Sequence, residues 1–312
     1  MPEILLHIGY HKTGSRWLRE LFFGNPATGY GWVDKEGEEH PVRRLVAARP
    51  LEFDADAARA ELEPLIEKIT GAGLHPVVSF ERFSGNPFSG GYDSKEVADR
   101  LAQVFPDARV LVVIREQRSM IVSTYKQYVR EGGAMSVTKF MQPPTSRSLR
   151  IPWFDFRHFE YHHLLGYYQR LFGPESVLAL PYEQFRSDPR SFVERLAGFA
   201  GRPLAAEQLD ALPFESQTNP GPPATAIAAR RLLNGLGVRT DLNPAPPLAS
   251  PTFWKLGKRI DRLTLAPQRA VTHEEQKLRR LVADRVGDRY VDSNRRTAEL
   301  TGLDLGAYGW ML

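Results

Sequence analysis

A glycine-containing loop near the start of the chain has the residue types of an anion-binding loop. It reads GYHKTGSRW, from Gly9 to Trp17, and lies between an apolar run that ends at Ile8 and a segment with apolar residues at helical spacing. A glycine loop between a strand and a helix lets successive backbone N–H groups and the positive end of the helix dipole surround an anion. The stretch therefore predicts a loop that binds a phosphate-like group, and the alternative is a solvated loop that only caps a helix.

The position of the lysine separates this loop from those that bind a nucleoside triphosphate. In a Walker A loop the lysine directly follows the second glycine. Here Ser15 follows Gly14, and Lys12 precedes it. A Mg-nucleoside triphosphate is therefore a poor fit, and a P-loop kinase is kept only as an alternative function.

A second candidate anion-binding pair follows the most strand-like segment of the chain. That segment, Val110 to Ile114, leads into Arg115, and Ser123 comes eight positions later in a predicted helix. An arginine at the carboxyl end of a parallel strand points into the ligand crevice of an α/β sheet, where a helix serine can join it on one phosphate. The alternative is that Arg115 pairs with a neighbouring carboxylate.

The elements around these motifs alternate between strands and helices. Alternation at this spacing predicts a parallel sheet covered by helices on both faces. The prolines between 219 and 251 predict extended chain around one short helix. The predicted strands lie at 4–8, 76–80, 110–114 and 177–180, and the predicted helices lie at 54–72, 94–104, 119–131, 157–172, 189–200 and 272–300, the last with Leu278, Leu281, Val282 and Val286 on one face.

Composition bounds the class of protein. The 312 residues are 42% hydrophobic, and 41 Lys plus Arg stand against 37 Asp plus Glu, a net charge of +4. That length and apolar content suit a globular core, whereas the small, dispersed positive charge argues against a nucleic-acid-binding protein. The absence of cysteine excludes disulfides, thiolate zinc sites and cysteine nucleophiles. The first apolar run is too short for a signal peptide or a membrane anchor, so we expect a cytoplasmic protein without a transmembrane segment.

Together, the two anion-binding motifs resemble the two halves of the site for 3′-phosphoadenosine 5′-phosphosulfate (PAPS) in the sulfotransferase family. The stretch KTGSRWL is more similar to the version in heparan-type sulfotransferases than to that of cytosolic ones, and IREQRSMIVSTYKQYVREGG resembles a group of bacterial sulfotransferase-like proteins. Further similarity covers residues 177–201 and the tail that ends in Tyr-Gly-Trp. The resemblance thus extends over most of the chain.

This resemblance implies a fold and an activity. The fold is a P-loop-containing three-layer α/β/α domain with a central parallel sheet, which we expect to span residues 1–312. Within it we expect a variable substrate-side insert at about 142–159, the proline-rich segment at about 219–251 and a helical tail at 272–312. The implied activity is in-line transfer of a sulfuryl group from PAPS to a hydroxyl or amine of a small-molecule, glycan or lipid acceptor, without a metal, leaving PAP.

The resemblance also implies roles for particular residues. The 5′-phosphosulfate would lie on the first loop and the 3′-phosphate on Arg115 and Ser123. Lys12 would neutralise the charge that builds on the bridging oxygen as the 5′-phosphate leaves. The implied cofactor-binding set is His11, Lys12, Thr13, Gly14, Ser15, Arg16, Trp17, Arg115 and Ser123.

The acceptor needs a base to take its proton. In related enzymes the base follows the strand before the arginine strand, a position that falls on Glu81, which Lys12 and Arg82 would hold ionised. The alternative is that Glu81 is only an ion-pair partner of one of those cations. His40 is the second candidate base, although HPVRRL also fits an exposed helix start.

The acceptor side is predicted from composition alone. Residues 142–159 mix cations with aromatic rings, as a pocket for an anionic or sugar-like acceptor would. The candidate acceptor-binding residues are Arg82, Trp153 and Phe154, with further cations at Arg147, Arg150 and Arg157.

Three further features keep alternatives open. His158 and His162 have the i, i+4 spacing of metal ligands, but a structural or substrate-facing role is favoured because no third ligand is in view. Segment 252–265 has the pattern of a helix that rests on a membrane surface or a partner, although packing onto the core is favoured. The chain also lacks the Arg-Lys-Gly loop of the cytosolic enzymes, so a catalytically silent PAP-binding protein stays open as an alternative.

Overall fold

Five parallel strands form the centre of the protein. A computed structural model describes residues 3–33, 40–142, 153–216, 221–261 and 267–312. The strands are β1 Leu5–Gly9, β2 Tyr30–Val33, β3 His75–Ser79, β4 Arg109–Ile114 and β5 Val177–Pro181. Their order across the sheet is β2-β3-β1-β4-β5, and each neighbouring pair is parallel.

Helices connect the strands and cover the sheet. The first helix, α1 (Ser15–Trp17), continues without a break into a π-helical turn at Leu18–Phe23, and shorter 3₁₀ turns lie at Glu81–Ser84 and Phe156–Phe159. The other helices are α2 Pro41–Ala47, α3 Ala55–Gly71, α4 Ser94–Val104, α5 Gln117–Arg130, α6 Val137–Phe140, α7 Tyr161–Phe172, α8 Tyr182–Ser187, α9 Pro189–Phe199, α10 Ala206–Asp210, α11 Ala224–Gly237, α12 Pro251–Ile260, α13 Gln268–Val286 and α14 Val291–Thr301.

The strand side chains divide between two cores, one on each face of the sheet. In β4, Val112 and Ile114 belong to one core, whereas Leu111 and Val113 belong to the other. Successive side chains of a strand point to opposite faces, so a strand buried on both sides is apolar throughout. The first core includes residues of α3, α4, α5 and α7, and the second includes residues of α1 and α9. This confirms the predicted three-layer α/β/α fold with a central parallel sheet.

The predicted elements are present, with four differences. The edge strand β2 was not predicted. The proline-rich segment contains α11, a helix of 14 residues where a short one was expected, and Pro220 lies outside the described residues. The tail forms two helices, because α13 ends before Gly287, whose φ of +55° cannot continue a helix. Leu278, Val282 and Val286 of α13 are buried as predicted, but Leu281 is 39% exposed.

Segment 252–265 packs against the protein through α12, as favoured from the sequence. The Phe253 ring covers Gly237 of α11, where an added Cβ atom would lie 2.1 Å from the ring. The Trp254 ring lies 5.3 Å from the guanidinium of Arg230, which is also on α11. Positions 262–265 are outside the described residues. In the part of the chain that the structure describes, none of the helices combines the length and apolar character needed to cross a bilayer.

The strand order decides where a site can form. Strand β1 lies between β3 and β4, so the loops after these three strands meet at the same edge of the sheet. In open α/β sheets, ligands bind at the carboxyl ends of the strands where the chain order reverses. The loop that contains Lys12, the turn at Glu81 and the residue Arg115 follow β1, β3 and β4 respectively.

Candidate functional site

The loop after β1 has an unusual backbone conformation at two positions. Lys12 has a φ of +69° and Gly14 a φ of +81°. Thr13 turns its hydroxyl inward, where Oγ1 donates to the carbonyl of Tyr10 at 2.6 Å. Because α1 begins at Ser15, the first N–H groups of this helix have no acceptor within the helix. The loop therefore presents main-chain donors at the edge of the sheet, as the sequence predicted.

A close approach of backbone to side chain explains the first glycine of the loop. A Cβ atom at Gly9 would lie 2.4 Å from Oγ of Ser15 and 3.3 Å from Oγ1 of Thr13. Any larger residue would push apart the end of β1 and the start of α1. The glycine thus lets the strand and the helix meet tightly around the loop.

The structure brings the two predicted anion-binding motifs into direct contact. Nη1 of Arg115 donates to Oγ of Ser123 at 3.0 Å and to the carbonyl oxygen of Lys12 at 2.9 Å. The ring of Tyr182, directly after β5, lies 4.8 Å from the same guanidinium. Arg115 is half-buried, and within the described ranges its hydrogen bonds go to these neutral oxygens rather than to a carboxylate. The predicted pair of Arg115 and Ser123 is therefore present and is tied to the first loop.

Lys12 is half-buried, and its surroundings change its acidity. The pKa of its ammonium group is lowered to about 8. Burial is the largest cause and the positive charges of Arg130 and Arg115 act in the same direction, whereas Glu131 and Glu81 act in the opposite direction. Desolvation and like charges both disfavour a protonated lysine. A bound anion would offset both effects, so the site is suited to a ligand with several negative charges.

Glu81 has a different partner from the two that the sequence suggested. Its Oε2 accepts a hydrogen bond from Nη1 of Arg19 at 2.8 Å, and the two side chains are only 27% and 12% exposed. Lys12 interacts with Glu81 through its charge. Arg82 forms an ion pair with Asp93, with 3.3 Å between nitrogen and oxygen. Arg19 therefore joins the cations around Glu81, and the expectation that Lys12 and Arg82 help to hold this carboxylate stays a prediction.

The π-helical turn after α1 is what carries Arg19. The amide of Gly24 donates to the carbonyl of Arg19 at 2.8 Å, a bond that spans five residues and widens the helix. The Arg19 guanidinium also lies 5.8 Å from the ring of Trp32 on β2. The edge strand β2 thus supports the cation that contacts Glu81.

Two of the predicted binding residues have rings that lie in the core instead. Trp17 is 2% exposed, stacks on Phe214, and donates from Nε1 to the carbonyl of Pro213 at 3.3 Å. Phe154 is also 2% exposed and packs 4.8 Å from the ring of Phe140. Both rings therefore pack in the core. Trp17 could contact a ligand only through its main chain.

The other predicted acceptor and loop residues are more exposed. Arg16 pairs with Glu20 one turn along, at 2.7 Å, with 55% of its side chain exposed. Trp153 is 50% exposed. Arg147 and Arg150 lie outside the described residues, so most of the predicted insert is not placed.

His40 caps a helix, which agrees with the alternative interpretation of HPVRRL. It lies at the N-cap of α2, where its Nδ1 accepts from the amide of Val42 at 3.2 Å. The pKa of His158 is lowered to about 3, mainly by burial. His11, inside the first loop, lies close enough to act in the same direction. The structure therefore gives His40 a local role at the start of a helix and keeps His158 neutral at ordinary pH.

His158 and His162 face different partners. The His158 ring packs 5.2 Å from the ring of Tyr10, whereas Nδ1 of His162 lies 2.9 Å from Oγ of Ser293. In residues 3–33, 40–142, 153–216, 221–261 and 267–312, His, Asp and Glu form no group of three that could hold a metal ion. Their spacing reflects packing around α7.

Sequence reasoning missed several residues at this edge of the sheet. Tyr182 and Glu183 directly follow β5, so their position after a parallel strand was a usable signal. Arg19 carried no signal, because its position depends on an irregular turn. Trp310 belongs to the Tyr-Gly-Trp segment in which the resemblance was noted, but nothing in the sequence indicated that its indole reaches Glu183.

Known proteins resemble this chain in sequence and in fold. The model of the sulfotransferase family matches residues 94–206. "Cytosolic sulfotransferase 16" of Arabidopsis thaliana is 26% identical over 216 residues, which cover 66% of this chain and 55% of that protein. Human "Sulfotransferase 2B1" is 29% identical over 207 residues, which cover 65% of this chain and 47% of that protein. The chain thus spans about half the length of the curated relatives it matches.

A solved structure supports the same fold. The sulfotransferase from Alicyclobacillus acidocaldarius aligns with a TM-score of 0.52 at 18% identity, over 70% of this chain and 87% of that one. These matches do not separate the heparan type from the cytosolic type. The chain is thus similar to the sulfotransferase family over its central strands and helices, and it shares the fold of a solved sulfotransferase.

Proposed function

We propose that this chain transfers a sulfuryl group from PAPS to a hydroxyl or amine of a small-molecule, glycan or lipid acceptor. The observation that carries the proposal is the contact of Arg115 with both Ser123 and the main chain of Lys12. One continuous surface can thereby bind two separate anionic groups of one ligand. PAPS carries such groups at its 3′ and 5′ ends.

The residues present fit this donor. The main-chain donors of the first loop and Lys12 would hold the 5′ end, and Arg115 with Ser123 would hold the 3′-phosphate. When bound, PAPS supplies an activated sulfuryl group attached to a phosphate that can leave. The ring of Tyr182 and the loop carbonyl fix the Arg115 guanidinium before any ligand arrives, which reduces the entropy lost on binding.

Lys12 would act on the charge that develops during transfer. Its ammonium group is desolvated and lies near two arginines, so negative charge next to it is stabilised more strongly than in water. Because this interaction grows as the leaving oxygen gains charge, it lowers the barrier more than it improves binding.

Glu81 would take the proton of the acceptor. The ion pair with Arg19 orients its carboxylate. A carboxylate is a weak base, but the acceptor proton becomes more acidic as its oxygen or nitrogen bonds to sulfur, so a weak base is sufficient late in the transfer. Arg19 in this scheme is a positioning residue that acts through Glu81.

Titration calorimetry with PAP, and in parallel with ATP and Mg²⁺, tests the donor. We expect tight binding of PAP and weak binding of ATP. Transfer of labelled sulfate from PAPS to a panel of phenols, sugars and amines then separates an active enzyme from a silent PAP-binding protein. Tighter binding of ATP, and only with the metal, would favour a P-loop kinase instead.

Substitution of the candidate bases tests the proton acceptor. Glu81→Gln is expected to abolish transfer and leave the Kd for PAP near that of the wild type. His40→Asn is the matched control, because asparagine keeps the helix cap while removing the imidazole. Normal transfer by Glu81→Gln together with loss in His40→Asn would assign the base to His40.

A further inference from the structure

A half-buried carboxylate lies beside the Arg115 guanidinium without pairing with it. Glu183, on α8, accepts hydrogen bonds on both of its oxygens: Oε1 from the amide of Glu116 at 3.1 Å and Oε2 from Nε1 of Trp310 at 3.3 Å. Burial raises the pKa of the Glu183 carboxyl group, and the hydrogen bonds from Glu116 and Trp310 and the charge of Arg115 offset only part of this effect. Opposite charges thus share one crevice, yet in the described structure both oxygens of the acid serve neutral N–H donors.

An ion pair at this place would compete with an anionic ligand. Arginine and carboxylate form strong bidentate pairs when their geometry allows. Such a pair would occupy the N–H groups of Arg115 that a phosphate needs, and a ligand would have to displace it. The present arrangement avoids this cost, because among the described residues Arg115 donates to the hydroxyl of Ser123 and the carbonyl of Lys12 and to no carboxylate.

The indole that holds Glu183 is itself fixed. Trp310 is 4% exposed, and its ring packs 5.7 Å from the ring of Tyr161. The hydroxyl of Tyr161 donates to the carbonyl of Arg115 at 2.6 Å. One tyrosine therefore supports both the tryptophan and the main chain of the arginine.

We propose that Trp310 is a positioning residue that holds the Glu183 carboxylate away from Arg115 and so keeps that guanidinium available for an anionic group of the ligand. The inference rests on the proposed function only in taking that group to be the 3′-phosphate of the donor. It gives the tail of the chain a part in nucleotide binding without contact to the nucleotide.

The test measures the Kd for PAP by calorimetry in Trp310→Phe, Glu183→Gln and the double variant, with Trp254→Phe as the control for loss of an indole elsewhere. We expect Trp310→Phe to bind PAP about tenfold more weakly, because the released carboxylate pairs with Arg115. The double variant should recover to within about twofold of the wild type, since no carboxylate is left to compete. A purely structural tryptophan would give a double variant no better than Trp310→Phe, which would overturn the proposal.

A ligand-free crystal structure of Trp310→Phe tests the same step without any nucleotide. We expect an oxygen of Glu183 within about 4 Å of a guanidinium nitrogen of Arg115. A carboxylate that stays on the amide of Glu116 and apart from Arg115 would contradict the inference. Absence of PAP binding by the wild type would instead overturn the proposed function, and this structure would still decide the part played by Trp310.

Discussion

At the scale of single residues, the lysine of the first loop combines burial with a mixed charge environment. Lys12 is surrounded by two arginines and two glutamates, and burial has the largest effect on its pKa. A cation that is costly to keep charged gains most from a ligand that brings negative charge. On our proposal, Lys12 therefore matters more for the reacting state than for the resting protein.

Substitution of Lys12 should separate catalysis from binding. Lys12→Met is expected to lower kcat about 100-fold or more, because one preorganised donor to developing charge is lost. Arg115→Met, of similar length, should instead weaken PAP binding the more strongly of the two, because it removes contacts made in the ground state. Steady-state kinetics and PAP calorimetry on both variants measure this split, and normal turnover by Lys12→Met would refute the role given to the lysine.

The lowered pKa of Lys12 predicts a pH dependence of activity. With a pKa of about 8, the lysine is charged below that pH and becomes neutral above it. We expect kcat/KM for the sulfate donor to fall as pH rises through about 8, because the free enzyme then loses a cation that attracts the donor. The same profile for Lys12→Arg should lack this limb, since arginine stays protonated; a limb that persists would belong to another group.

At the scale of elements, the loop between β3 and α4 depends on a glycine that faces a histidine. Gly91 has a φ of +68°, and a Cβ atom there would lie 2.1 Å from Nδ1 of His158. His158 in turn packs on Tyr10, the residue that follows β1. His158, in the turn before α7, therefore contacts both the loop that contains Gly91 and the start of the anion-binding loop at Tyr10.

Gly91→Ala is expected to destabilise the protein by about 2 kcal/mol, through the positive φ and the clash with His158. Gly198→Ala is the matched control, because Gly198 lies within α9 and an added Cβ there meets nothing within 4 Å. That control should leave stability unchanged or raise it by about 0.5–1 kcal/mol. Urea unfolding measures the stability of both variants. Equal unfolding midpoints would contradict the explanation that Gly91 is required by its positive φ and by the contact with His158.

The elements that sequence reasoning missed have physical reasons. Strand β2 has only four residues, Tyr30–Val33, and includes a glycine, so it shows neither a long apolar run nor alternation. The partner of Glu81 was missed because the π-helical turn shifts Arg19 from the direction that regular helical spacing predicts. Arg115 and Ser123 were predictable because Arg115 directly follows the regular strand β4 and Ser123 lies on the regular helix α5, and the geometry of both elements is set by local sequence.

Aromatic residues were the least informative part of the site. Trp17 and Phe154 were expected to face ligands, but both are buried. Large rings bury much apolar area, so a ring near a binding motif serves the core as readily as the ligand. Glycine and charged residues at strand ends were better guides, because few other positions require them.

At the scale of the whole molecule, the helices after residue 220 close the far side of the site. Asn234 of α11 is fully buried, and its Nδ2 donates to the carbonyls of Val129 and Gly133 at 2.7 and 2.9 Å. These carbonyls flank Arg130 and Glu131, the two charged residues whose fields act on Lys12. The helical layer is therefore joined to the end of α5 by a specific polar contact.

Asn234→Ala is expected to lower the free energy of unfolding by about 2–3 kcal/mol, because two carbonyls each lose a hydrogen bond from the buried amide and a cavity forms. Gln276→Ala, at an exposed position of α13, should change it by less than about 0.5 kcal/mol. Chemical denaturation followed by circular dichroism compares the two. A loss in Asn234→Ala no larger than in Gln276→Ala would show that the layer docks without this contact.

The contact between Trp310 and Glu183 joins residues that are 127 positions apart in the chain. A ribosome makes the sheet, the first loop and Arg115 well before it makes this tryptophan. During that interval the carboxylate of Glu183 lacks one of its two donors, and the pocket around Arg115 is without its final arrangement. On our proposal, a nascent chain therefore reaches its full affinity for the donor only after Trp310 has been made and has packed against Tyr161.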